Sequence, residues 1–421
     1  MRLQVQPLVA LCDSKINISV SELPPHGKVT LKAHMCFPWA KHVHFESCAS
    51  FTADHNGYVD LSKQKPDSGS YDFVDSMGLI TSLNIVSGKY SDIARNISVD
   101  ESLLIDITVE HGQEKGNAKL ERLFKSPEIR NQKINDKFVG EFFYTEGSDY
   151  QTILMIGGSG GELGANLPIA SLLASHGFNV LTVAYFSEKG LPPNLAEIPL
   201  EYFEKVFAWL NSNPLTAGKG IYLHCTSKGA ELGLILASRY PFIKKVAAFA
   251  PHAYCFQGLN FKNVSSWTYG GKPLPYIRLK NGTMFANMLS SFIKNKPFGY
   301  THTYKKGLQN AKNKDVARIK VENSNADILL FSGKQCNMWN TYDGCVEIMD
   351  NLNRSGYSHK IEHIAYENTG EPWYAPYIIP ESIRLSVKIM PRLSLSMGGT
   401  LQGNTEAVID SWGKMLAFFM N

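Results

Sequence analysis

Ser227 is the residue whose setting first suggests chemistry. It closes the apolar run Ile221-Tyr222-Leu223-His224-Cys225-Thr226 and opens the helix-like stretch Lys228-Gly229-Ala230-Glu231-Leu232. A serine on a sharp strand-to-helix turn is lifted to the C-terminal edge of a sheet, where its hydroxyl meets substrate. Such a turn needs small residues two before and two after the serine. Gly229 supplies one, and Cys225 stands where the other glycine would be. The plainer reading is that Ser227 only caps the helix that follows it. A second candidate is Gly157-Gly158-Ser159-Gly160-Gly161, which follows an apolar strand and precedes a helix. Backbone N–H groups of Ser159 and Gly160, with that of Lys228, would together receive an oxyanion. A phosphate loop is the rival reading, but the G-K-[ST] ending is missing and no following strand ends in an acid. An ordinary glycine-rich turn is the third.

Both loops need a parallel sheet to hold them, and residues 131–421 have that pattern. The runs at 152–158, 178–186, 220–225, 245–251, 326–333 and 359–366 are apolar strands alternating with helical segments. One such helix spans 201–214, with apolar residues at 202, 203, 206, 207 and 210. Strands apolar on both sides belong in a mostly parallel sheet covered by helices. The segment 255–325 breaks this rhythm and is expected to be an excursion or cap over the sheet edge. Residues 1–130 differ. Short runs at 15–20, 28–37, 42–53 and 102–111 alternate with period two between turn residues, which predicts an antiparallel β-sandwich. The polar residues of this half, Asp13 to Lys15 among them, look like turn chemistry, and no site is expected there. The stretch 125–137 reads as a linker.

Composition narrows the function classes. The net charge of +4 comes from 42 basic and 38 acidic residues with no clustering, so neither nucleic acid nor an anionic membrane is implied. Seven scattered cysteines, with no C-x-x-C pair, read as reduced thiols. Gln4, Gln6 and Pro7 interrupt the first residues, no run reaches the roughly 18 to 20 apolar residues of a membrane span, and the ending LAFFMN is not of the S-K-L type. The expectation is a cytoplasmic protein of open oligomeric state.

Three phrases carry a resemblance: GGSGGELGANLPIASLLASHGFNVLTVAYF (157–186), IPLEYFEKVFAWL (198–210) and SKGAEL (227–232). With SMGLITSL (76–83) and GGTLQGNTEAVIDSWGKMLAFF (398–419), they resemble the acyl-CoA thioesterase / bile acid-CoA:amino acid N-acyltransferase family over nearly the whole chain. The resemblance implies an α/β-hydrolase fold at 131–421 preceded by an immunoglobulin-like β-sandwich at 1–130. It implies action on acyl-CoA or another acyl thioester through a Ser or Cys nucleophile, an Asp and a His, with no metal or cofactor. Ser227 matches the nucleophile. The family's acid lies in a phrase like G-Q-D-D-H-N-W. Here Gly333-Lys334-Gln335-Cys336-Asn337-Met338-Trp339 puts Gln335 or Cys336 in its place. The family's histidine follows a phrase like Y-P-E-T-G-H, and here Glu371 ends Tyr366-Glu367-Asn368-Thr369-Gly370-Glu371.

The departures have a physical consequence. Serine needs an adjacent base, and a histidine of pKa about 6.5 suits that work better than a glutamate of about 4.3. Burial can raise a glutamate by a few units, but no partner that would tune Glu371 is legible. The expected function is hydrolysis of fatty acyl-CoA to acid and CoA through an acyl-Ser227 intermediate, impaired by the missing triad members. The alternatives are an inactive acyl-CoA or lipid-binding pseudoenzyme and an acyl-CoA N-acyltransferase. His252, after a strand at the sheet edge, is the best substitute base. His224 and His363 read as strand residues, Asp343 as a helix surface charge, and Lys228 as a surface lysine before an attractor of CoA phosphates.

Overall fold

The computed structural model describes residues 1–94, 96–161, 163–260 and 262–421. In the front half, β1 (Lys28–Phe37), β2 (Ala40–Thr52), β3 (Leu103–His111) and β4 (Glu114–Leu123) form the body of one sheet, ordered β4-β3-β1-β2 and antiparallel throughout. Alternation decides which face is inward. Val29, Leu31, Ala33, Met35 and Phe37 of β1 are buried, while Lys28, Thr30, Lys32, His34 and Cys36 face out. A three-stranded sheet made by Arg2–Gln6, Asn17–Ser21 and Val59–Asp60 completes the predicted sandwich.

The second half is built in chain order from β5 (Arg130–Ile134), β6 (Val139–Tyr144), β7 (Gln151–Ile156), α1 (Leu167–Ser175), β8 (Phe178–Ala184), α2 (Glu201–Ser212), β9 (Ile221–Thr226), α3 (Lys228–Ala237) and β10 (Ile243–Phe249). It continues with α4 (Asn281–Lys294), α5 (Thr301–Asn310), β11 (Asp327–Gly333), α6 (Thr341–Arg354), β12 (Ile361–Tyr366) and α7 (Leu401–Met420). The eight strands are ordered β5-β6-β8-β7-β9-β10-β11-β12. The pairs β5·β6 and β6·β8 are antiparallel and the rest are parallel. All seven residues of β8 are buried, as a strand covered on both faces requires.

The stretch expected as a linker contains β5, whose Arg130 to Ile134 pair with Tyr144 to Gly140 of β6. As the sheet's edge strand, β5 buries only Ile134, so its polar sequence hid it. The two halves share a core: Leu31 and Phe45 of the sandwich belong to the same apolar cluster as Leu172, Phe178, Trp412 and Phe419. Asp13 does more than make a turn. Its carboxylate accepts from the Trp412 indole at 2.9 Å and pairs with His176, tying the sandwich to α7 and to the end of α1. Among the described residues no helix is long and apolar enough to cross a membrane.

Candidate active site at the β9–α3 turn

β9 passes into α3 through one residue. Ser227 sits at φ 53° and ψ −122°, and its side chain makes no capping hydrogen bond, so the simple cap is excluded. A non-glycine residue held there costs on the order of 1–3 kcal/mol and persists only where its surroundings fix it. They do so here. Ser227 N–H donates to the Phe249 carbonyl at 2.8 Å, and its own carbonyl accepts from Ala230 at 2.8 Å and Glu231 at 3.1 Å.

The small residues around the turn have separate duties. A Cβ on Gly229 would stand 2.2 Å from the Gly157 carbonyl oxygen, so the turn can press onto the end of β7 only with glycine there. Cys225 is compatible because its thiol fills the notch over Gly233, where an added Cβ would lie 2.3 Å from Sγ. Burial pushes the Cys225 thiol up, so it remains a neutral packing group beneath the serine.

The glycine loop lies against this turn. A Cβ on Gly158 would come within 3.2 Å of the Ser227 Cβ, and the Tyr185 hydroxyl fixes the loop by donating to the Gly157 carbonyl at 2.7 Å. Ser159, Ser227 and Lys228 line one cavity of about 310 Å³. Gly160 is exposed and does not line it, so of the two loop residues expected at the oxyanion only Ser159 reaches the cavity. The excursion after β10 forms the roof: Leu259, Leu279, Met284 and Tyr304 line the cavity with Met338 and Trp339.

Lys228 is neither a surface lysine nor a free cation for phosphate. Its ammonium is buried and bonds both carboxylate oxygens of Glu231 at 2.7 Å. Glu231 also accepts from the Trp267 indole at 2.7 Å and from the Phe256 N–H at 3.3 Å. This satisfied network ties the first turn of α3 to the excursion.

Of the two residues expected at the acid position, Cys336 is the one whose side chain meets Glu371. Gln335 is exposed and its amide donates to the Asn368 side chain at 3.2 Å, away from the site. Cys336 is buried, and its thiol donates to Glu371 Oε2 at 3.3 Å. The Glu371 carboxyl is enclosed by protein although the residue keeps partial solvent contact. That enclosure raises its pKa to about 7, and hydrogen bonding from Ser227 and Cys336 and the charge of Arg384 act the other way. Desolvation outweighs those three, and the thiol of Cys336 is the neighbour that the sequence did not make legible.

Loops after β11 and β12 carry this pair, and residues 397–404 brace both. Asn337 and Glu371 N–H groups each donate to the Met397 carbonyl, at 3.3 and 3.1 Å, and Gly370 N–H donates to Asn404 Oδ1 at 2.9 Å.

The histidines stay out. His252 is buried against Tyr254, Phe256 and Trp339, and burial lowers its pKa to about 4. Neither it nor Glu371 lines the cavity, but only Glu371 is hydrogen-bonded by Ser227. His224 packs on Phe249 and is lowered to about 4 for the same reason. His363 is held by the Ser332 hydroxyl at 2.8 Å. Asp343 pairs with Lys305 on the surface.

Sheet order, turn and sandwich together define an α/β-hydrolase fold preceded by a β-sandwich. Residues 13–136 match the acyl-CoA thioester hydrolase/BAAT N-terminal region and residues 198–421 match the BAAT / acyl-CoA thioester hydrolase C-terminal region. The chain belongs to this family. It is 28% identical over 442 residues to mouse acyl-coenzyme A amino acid N-acyltransferase 1, covering 100% of this chain and 97% of the relative. It is 26% identical over 427 residues to mouse acyl-coenzyme A thioesterase 1, covering 99% and 96%. Mouse mitochondrial acyl-coenzyme A thioesterase 2 is 27% identical over 427 residues, covering 99% and 88%.

Proposed function

We propose that this protein hydrolyses fatty acyl-CoA thioesters with Ser227 as nucleophile and Glu371 as its general base. The observation that carries the reading is the enclosed Glu371 carboxyl beside Ser227, with a pKa brought to about 7. At that value a carboxylate both takes and returns a proton near neutral pH, which is the property that makes histidine useful. Cys336 fits the exchange. Where a His–Asp pair carries its negative charge on the outer residue, Glu371–Cys336 carries it on the inner one. Burial keeps the thiol protonated, so it donates to Glu371 without adding a second negative charge beside it. The expected impairment is thereby reduced to a shift in pH dependence.

The steps follow. Glu371 accepts the Ser227 proton as Oγ attacks the thioester carbonyl. The N–H groups of Lys228 and Ser159 receive the oxyanion. The intermediate collapses to acyl-Ser227 as Glu371 passes that proton to the departing CoA sulfur, so CoA leaves as the thiol and the carboxylate is ionised again. A thiol of pKa about 8.5 leaves readily, so a weak acid is enough at this stage. Water then attacks the ester with Glu371 again as base, and Glu371 returns the proton to the Ser227 oxygen as the free acid departs. That alkoxide is the poorer leaving group, so release of the acid is the slow half. The apolar roof over the cavity suits an acyl chain.

The test follows CoA thiol release from acyl-CoAs of graded chain length by wild type and Ser227→Ala. Loss of release in the variant, with a fluorophosphonate probe labelling only wild type, supports the reading. Saturable acyl-CoA binding with equal background release in both proteins would replace it with the binding role. Amide formation with added glycine or taurine would replace it with the transferase role.

A further inference from the structure

We propose that His34, Cys36 and His44, on the outer face of the sandwich, form a binding site for zinc or a similar borderline-soft divalent cation. His34 and Cys36 are two residues apart on β1, so both side chains leave the same face. The antiparallel register sets Met35 opposite Phe45 and His34 opposite Glu46, which brings His44 of β2 beside Cys36.

Three donor atoms converge there: His34 Nε2 lies 3.1 Å from His44 Nδ1, Cys36 Sγ lies 3.2 Å from the same nitrogen, and all three fall within 4.8 Å of one another. Zinc bonds nitrogen at about 2.0–2.1 Å and sulfur at about 2.3 Å, so donors around a tetrahedral ion stand roughly 3.3–3.6 Å apart. The two separations that meet at His44 Nδ1 are within a few tenths of an ångström of that edge. Hydrogen bonding alone explains the cluster poorly. An imidazole Nδ1 has either one lone pair or one proton, and here two partners approach it.

Two imidazoles and a thiolate are the donor set that zinc and its neighbours in the transition series favour, with a water completing the tetrahedron. Asp106 of β3 pairs with His34 across the sheet and adds negative charge beside the cluster. The three residues are partly exposed, so an ion has a path in. They ride on two long paired strands whose opposite faces are core, which holds the donors without relying on loops. Ser227 belongs to the other half of the chain, so the site's expected contribution is to bind metal and steady the sandwich, independently of hydrolysis.

The test uses the full chain, reduced and stripped of metal. Zinc is titrated against a competing chromophoric chelator, and cobalt binding is followed by its thiolate charge-transfer band and visible bands. One cobalt per chain with a thiolate band is expected. Affinity should fall at least tenfold in Cys36→Ser and in His44→Gln and be unchanged in Cys48→Ser and Ser227→Ala. Zinc should raise the melting temperature of wild type but not of Cys36→Ser. These side chains face outward, and circular dichroism verifies that each variant is folded. A cobalt spectrum without a thiolate band, or affinity unmoved by both site variants, overturns the proposal.

Discussion

Glu371→Gln keeps the size of the side chain and one of its two acceptor oxygens and removes its basicity. With a pKa of about 7, roughly half of the wild-type molecules hold an ionised Glu371 at pH 7, about one in ten at pH 6 and about nine in ten at pH 8. On this basis kcat/KM climbs close to tenfold from pH 6 to pH 8 and then levels. The sign is set by the base form, so activity is lost on the acid side. A glutamate of ordinary pKa would give a flat line over the same range. Glu371→Gln should lower kcat/KM by about 10²- to 10⁴-fold at pH 8 and abolish the slope. The assay follows thioester loss by direct absorbance, since thiol reagents change with pH. Glu371→His with Cys336→Asp restores the family's pair and should recover activity, with a profile following histidine. A flat wild-type profile between pH 6 and 9, or a Glu371→Gln enzyme near wild-type rate, would refute the assignment of Glu371.

Slow deacylation predicts a burst of CoA release equal to the enzyme concentration, followed by a slower steady rate, measurable by stopped flow. Glu381 is buried with a pKa raised to about 7 by desolvation, so it holds its proton more tightly folded than unfolded. Its stabilising effect is complete below the unfolded value of about 4.3 and fades as pH rises through 7, so Glu381→Gln should lose up to about 3 kcal/mol less than wild type between pH 5 and pH 8 in urea denaturation. Glu231→Gln strands the buried Lys228 ammonium and should cost about 3–5 kcal/mol, whereas Lys228→Met with Glu231→Leu should cost less than either change alone. Gly233→Ala drives a methyl into Cys225 and should cost about 1–3 kcal/mol by thermal melting, largely recovered when Cys225→Gly is added.

The strongest signals in the sequence were periodic and local. Alternation in 28–37 was enough to place the inward face of β1, and the apolar run into Ser227 was enough to place the turn. An edge strand such as β5 carries little apolar pattern, so 130–134 passed for linker. Lys228 looked exposed because its partner Glu231 and the enclosing Trp267 become neighbours only once the helix and the excursion are folded. The same limit applied to Glu371. Its identity was readable, but its acidity is set by enclosure beside Cys336 and residues 397–398, which no local motif records. His34, Cys36 and His44 went unnoticed because cross-strand register, not sequence spacing, gathers them.

The bracing of the Glu371 loop by residues 397–404 has a consequence for biosynthesis. Sandwich, sheet and nucleophile turn are all encoded upstream of that segment, so a growing chain carries its serine before it has either the support of Glu371 or α7, whose Trp412 and Phe419 complete the shared core. Hydrolytic competence should therefore arrive late and abruptly, when the segment leaves the exit tunnel and α7 docks. Nascent chains would stay inert toward the cell's thioester pool until then.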